Sequence, residues 1–100
     1  MTKVYVTQDL GRVNLLPAEA FGELVVVIDG QISHMGLPRA LRQMRDVMRD
    51  ITKDDFILPI GHPSIMTLAG YIMADITGRI RILAWDRQTE QYIKTEVQVR

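Results

Sequence analysis

One hundred residues, close to half of them apolar and about a quarter charged, suffice for one buried core and not for two, in a composition that is globular rather than disordered. Twelve basic residues balance twelve acidic ones, so no whole-molecule field recruits nucleic acid or an anionic membrane. The absence of cysteine removes disulfides, thiol nucleophiles and the common zinc cages together.

The segment from Met1 to Gln8 lacks a charged head followed by a long apolar run, so no signal peptide is expected and the chain is assigned to the cytoplasm. Lys3-Val4-Tyr5-Val6-Thr7 alternates β-branched and aromatic residues with polar ones, which predicts a first strand. A turn-rich stretch follows from Asp9 to Gly22, within which Pro17 opens one helical turn to Phe21. Leu24 to Ile28 is a continuous run closed by Asp29-Gly30. That pattern belongs to a strand covered on both faces, and a central position in the sheet is expected.

A loop containing Ser33 and His34 leads to Pro38, which opens a helix running to about Ile51. Leu37, Leu41, Met44, Met48 and Ile51 recur every three or four residues and form its apolar stripe. Asp55 to Ile60 is a third strand, with Pro59 placed where no ladder donor is needed, and Gly61 ends it. Pro63 starts a second helix that stops at Gly78. Its longest apolar stretch, Ile65 to Ile76, is about twelve residues against the roughly twenty that span a bilayer, so no membrane partner is expected. Arg79 to Trp85 and Gln91 to Val99 are two last strands, joined as a hairpin through Asp86 to Glu90. The order predicts an α/β fold, one small single-domain sheet over residues 1–100 with a parallel β-α-β-α-β core and a C-terminal antiparallel hairpin.

The segment Ile60-Gly61-His62-Pro63-Ser64 is the first candidate site. A strand feeding a helix through glycine aims backbone N–H groups at the crevice beyond the sheet, where anions bind. Gly61, His62, Ser64 and Thr67 would hold the ligand, and His62 would serve as acid or base. The plainer reading is a strand-to-helix turn in which His62 or Ser64 caps the helix.

Ser64, Thr67, Tyr71 and Asp75 share one face of the second helix, and its other positions are almost wholly apolar. Part of its burial is therefore expected from another copy, making the protein a homo-oligomer. Arg42, Arg45 and Arg49 lie beside the apolar stripe of the first helix, with Arg39 further off, and could clamp phosphate. Read without a ligand, they form a solvated face laced with ion pairs such as Arg42 with Asp46. Arg79 and Arg81 project from the face opposite Ile80 and Ile82, as a second basic patch or as edge-strand charges that discourage aggregation. Trp85 is placed either to stack a planar group or to cover the end of the core. His34 and His62 have no metal-ligand spacing, and neither a metal nor a cofactor is expected.

Gly61-His62-Pro63 with its apolar helix, Gly78 to Gln88 with Tyr92, and Ala20 to Val25 together resemble small proteins of tailed bacteriophages, including those of cyanobacteria. In those relatives an Asp usually stands at the position of His62, so the resemblance gives a histidine there no essential role. The resemblance implies a phage origin, and hence the host cytoplasm, and no particular activity. Lys3-Val4-Tyr5-Val6 and Ile60-Gly61-His62 are locally similar to the viral ring nucleases, small α/β dimers that destroy cyclic oligoadenylates with a histidine at the start of a helix. Pro63 departs from that pattern.

Three functional classes follow. The leading one is a homo-oligomeric phage accessory module that binds a host protein or a small anionic ligand. The second is a metal-independent phosphodiesterase acting on cyclic oligonucleotides through His62 and the arginines. The third, a nucleic-acid binder, is disfavoured by the zero net charge.

Overall fold

A computed structural model describes residues 1–32 and 36–100; the loop residues Ser33 and His34 lie outside the described range. The elements are β1 (Lys3–Asp9), a short 3-10 helix (Leu16–Phe21), β2 (Glu23–Asp29), α1 (Leu37–Met48), β3 (Phe56–Leu58), α2 (Pro63–Thr77), β4 (Arg79–Asp86) and β5 (Gln91–Gln98). They form one five-stranded sheet in the order β2-β1-β3-β4-β5. β1 pairs in parallel with both β2 and β3, β3 pairs in parallel with β4, and β5 runs antiparallel to β4. The expected mixed α/β sheet with its terminal hairpin is thus the observed one.

Two positions within it differ from expectation. β2 is an edge strand, and β1 is the strand buried on both sides. The run Leu24 to Ile28 has the composition of a central strand, but only Val27 and Ile28 are fully buried, because the chain returns past β1 to pair β3 on its other side. β4 is correspondingly interior. Arg79 therefore guards no edge but pairs with Glu96, while Arg81 lies 4.0 Å over the Phe56 ring and donates to the Asp54 carbonyl.

Both helices cover one face of the sheet. Tyr5, Val27 and Ile57 pack there against Ala40, Met44, Met48 and Ile51 of the α1 region and Ile65, Ala69, Ile72 and Met73 of α2. Each large apolar side chain sealed in this way contributes about 1.5–3 kcal/mol relative to exposure. The stripe of α1 is centred on Ala40, Met44 and Met48, and Leu37 is 46% exposed. The opposite face is covered by the 3-10 helix, whose Ala18 and Phe21 meet Val4, Val6, Phe56, Leu58 and Leu83.

Helix α2 is closed at both ends by local chemistry. His62 caps its N-terminus, with Nδ1 accepting from the Ser64 amide at 3.1 Å. At its C-terminus Gly78 adopts φ 79° and donates to the Ala74 carbonyl, while Arg100 reaches back to the carbonyls of Ala74 and Asp75. A side chain at a left-handed cap is strained, so Gly78→Ala should cost about 1 kcal/mol, read as a fall in thermal midpoint of about 5 °C. The hairpin turn is held by Asp86, which accepts from the Thr89 hydroxyl and the Gln88 amide. Those bonds, the hydroxyl's first, hold its carboxyl below the usual range.

Candidate functional site

In a doubly wound sheet the ligand crevice opens where the strand order reverses, beyond the carboxyl ends of two neighbouring strands. Here those strands are β1 and β3, and the position is filled by Gln8. This side chain is 1% exposed. Its Oε1 accepts from the His62 amide at 2.8 Å and its Nε2 donates to the Gly30 carbonyl at 2.9 Å. One side chain thereby joins the ends of β1, β2 and β3. Gly61, at φ 100°, passes so close to Gln8 that a Cβ would overlap its side-chain atoms. Beside it, the Thr7 hydroxyl bonds the backbone of Ile60.

The sequence-derived site residues are placed as follows. Gly61, His62, Ser64 and Thr67 do lie together at the start of α2. The amides of His62 and Ser64 are both spent inside the fold, on Gln8 and on the His62 ring, and Pro63 has none. The Thr67 hydroxyl donates to the Pro63 carbonyl at 2.8 Å. His62 is exposed, and its cap leaves Nε2 as the outward nitrogen. Of the arginines, Arg45 donates to the Tyr71 hydroxyl at 3.0 Å. Tyr71 is roughly nine residues along α2 from His62, about 13 Å of helix axis. Arg49 sits a further turn away beside Asp46 and Asp50, and Arg42 is exposed. The fold therefore sets Arg45 and Arg49 apart from His62.

A different hollow stands open on the 3-10 face of the same sheet edge. It has a volume of about 760 Å³, within the range of small-molecule sites. Leu58, Pro59 and Ile60 at the end of β3 and Leu83, Ala84 and Trp85 of β4 form its floor, with Tyr92 of β5 beside them. Arg12, Val13, Asn14 and Pro17 form the far wall. That wall is shaped by two local turns, in which Asp9 accepts from the Gly11 amide and Asn14 from the Leu16 amide.

The aromatic side is a stack of edge-on contacts. Trp85 meets Tyr92 at 5.0 Å between ring centres, Tyr92 meets Phe21 at 6.4 Å, and Phe21 meets Phe56 at 6.1 Å. Burial pushes the Tyr92 phenol up, so it stays a neutral donor. Trp85 remains 48% exposed. Arg12 is exposed and forms no ion pair among the described residues.

Sequence reasoning named Trp85 but not this hollow, whose walls come from three stretches far apart in the chain. The available signal was the register of the hairpin, since Trp85 and Tyr92 flank a short turn and so become cross-strand partners.

Fold and hollow define a small doubly wound α/β protein with an apolar, aromatic-sided recess at the carboxyl edge of its sheet. Among the described residues no helix is long and apolar enough to cross a membrane, and no cluster of metal-ligating side chains occurs. The chain belongs to the Phage Pam3 gp32-like protein family, whose model matches residues 2–99. The phage resemblance carried by Ala20 to Val25, Gly61 to Pro63 and Gly78 to Gln88 is therefore a family relationship. No curated protein and no solved structure matches the chain.

Proposed function

We propose that this phage protein is a homo-oligomeric binding module that takes an apolar, ring-bearing anion in the recess between Arg12 and Trp85. The observation that carries this reading is a hollow of about 760 Å³ with an apolar floor, two aromatic rings and, in its far wall, an arginine with no carboxylate partner among the described residues. Apolar walls supply affinity, and a few placed polar groups supply orientation. The rings of Trp85 and Tyr92 offer flat surface to a planar group, and Arg12 offers a charge-assisted donor to its acid.

The test uses an aromatic sulfonate, 1-anilinonaphthalene-8-sulfonate, titrated into the folded protein. Trp85 is the sole tryptophan, so energy transfer from it to the dye reports occupancy of the recess itself. Saturable binding of one dye per chain is expected. Arg12→Glu should weaken it at least tenfold, in line with loss of a charge-assisted bond worth about 1.5–3 kcal/mol plus repulsion. Dye that fails to bind at millimolar concentration, or binds with no dependence on Arg12, overturns the reading.

The phosphodiesterase alternative would require His62 to act without Arg45 and Arg49. Incubation with cyclic oligonucleotides tests it directly, and intact substrate at high protein concentration removes it. The nucleic-acid alternative is tested by binding to DNA and RNA at low salt, where counterion release favours binding most.

A further inference from the structure

β5 is an open edge. It carries no proline and no bulge, and its register with β4 is continuous from Gln91 to Gln98. Such an edge is a template for another strand unless something covers or disrupts it. The Val99 amide donates to the Gly78 carbonyl. By the alternation of an antiparallel ladder, Gln91, Ile93, Thr95 and Val97 also turn their backbone groups toward β4. Tyr92, Lys94, Glu96 and Gln98 then turn theirs outward.

Side chains alternate in the same way. Ile93, Thr95 and Val97 pair with Ala84, Ile82 and Ile80 on the helix-covered face. α2 lies over β4 and β1 there, leaving Ile93 43% and Val97 64% exposed. Lys94 and Glu96 are on the other face.

We infer that β5 pairs antiparallel with β5 of a second copy about a two-fold axis through Thr95, joining the two sheets into one. This surface deepens the homo-oligomeric part of the proposed function and rests on it. A two-fold perpendicular to the sheet places opposed residues on the same face, so the axis must pass through a residue rather than between two. Centred on Thr95, the register opposes Lys94 to Glu96 of the second copy and Ile93 to its Val97, each twice over. The outward backbone groups of Tyr92, Lys94, Glu96 and Gln98 all meet partners.

Centred one residue earlier it would oppose Lys94 to Lys94, and one later Glu96 to Glu96. Like charges directly opposite are destabilising. The sequence Ile93-Lys94-Thr95-Glu96-Val97 is thus complementary to its own reversal, in charge and in apolarity, at this register and not at its neighbours. Glu96 also contacts Arg79 of its own chain, which orients its carboxylate on that face.

The Thr95 residues would face each other as a non-hydrogen-bonded pair, about 4.5 Å apart at Cα, a spacing that a disulfide accepts. Because the chain has no cysteine, Thr95→Cys introduces a single thiol. Sedimentation velocity on the wild type should give twice the mass of one chain. Thr95→Cys should become a disulfide-linked dimer under mild oxidation, whereas Gln88→Cys in the exposed turn should not. Lys94→Glu should weaken the dimer at least tenfold, and Lys94→Gln, which removes the attraction without adding repulsion, should weaken it by a smaller factor. A dimer in which Thr95→Cys stays reduced and both charge variants behave as wild type overturns this surface and leaves the oligomer standing elsewhere. A wild-type monomer at high micromolar concentration overturns both.

Discussion

Asp55→Ala should lower the stability of the protein by about 3 kcal/mol, measured as a fall in the thermal midpoint of roughly 15 °C. The Asp55 carboxylate is 2% exposed and accepts from the Lys3 amide and the Thr52 amide, each at 2.8 Å. It ties the start of β1 to the turn before β3, across about fifty residues of chain. Alanine leaves both amides without an acceptor in a place that water enters poorly, and each orphaned donor costs about 1–3 kcal/mol. Asp55→Asn keeps one oxygen acceptor and should lose about half as much. Equal losses in the two variants would mean that the charge, and not the acceptor geometry, holds this junction.

Gly61→Ala should cost about 3 kcal/mol in chemical denaturation, and most of that cost should disappear when Gln8 is already glycine, because the new methyl overlaps the Gln8 Cβ as well as its amide. The new methyl meets Gln8, whose amide is fixed at both ends, and the positive φ adds strain of about 1 kcal/mol. Gln8→Gly alone should cost about 3 kcal/mol, through its two lost hydrogen bonds and the freer backbone of a glycine in a strand. The double variant is then expected to be more stable than the sum of the single losses predicts, by more than 1 kcal/mol. Simple additivity would show that Gly61 is required only for its backbone angle.

Periodicity and turn chemistry were enough to read all the main elements. Pro63 and Gly78 bound α2 because one residue pre-sets the first helical turn and the other adopts the left-handed cap. Strand order was harder, since Leu24 to Ile28 and Lys3 to Thr7 are both strand-like and only long-range pairing decides which is central. The stripe of α1 failed at Leu37 because that residue belongs to the first turn, where the helix has not yet come down onto the sheet.

The candidate site was legible only in part. His62 and Gly61 were marked by local sequence, but Gln8 lies far away in the chain, and nothing near it signals that it occupies the crevice. The recess was invisible for a related reason: Arg12, Ile60 and Trp85 become neighbours only through the sheet.

The central place of β1 also bears on how the chain is made. β1 leaves the ribosome about fifty residues ahead of Phe56 to Leu58, the strand that becomes its second neighbour. At about 5–20 residues per second that is a wait of roughly 3–10 s. Throughout it, one side of Val4-Tyr5-Val6 lacks its β3 partner, so the nascent chain stays adhesive along that side until β3 arrives to quench it.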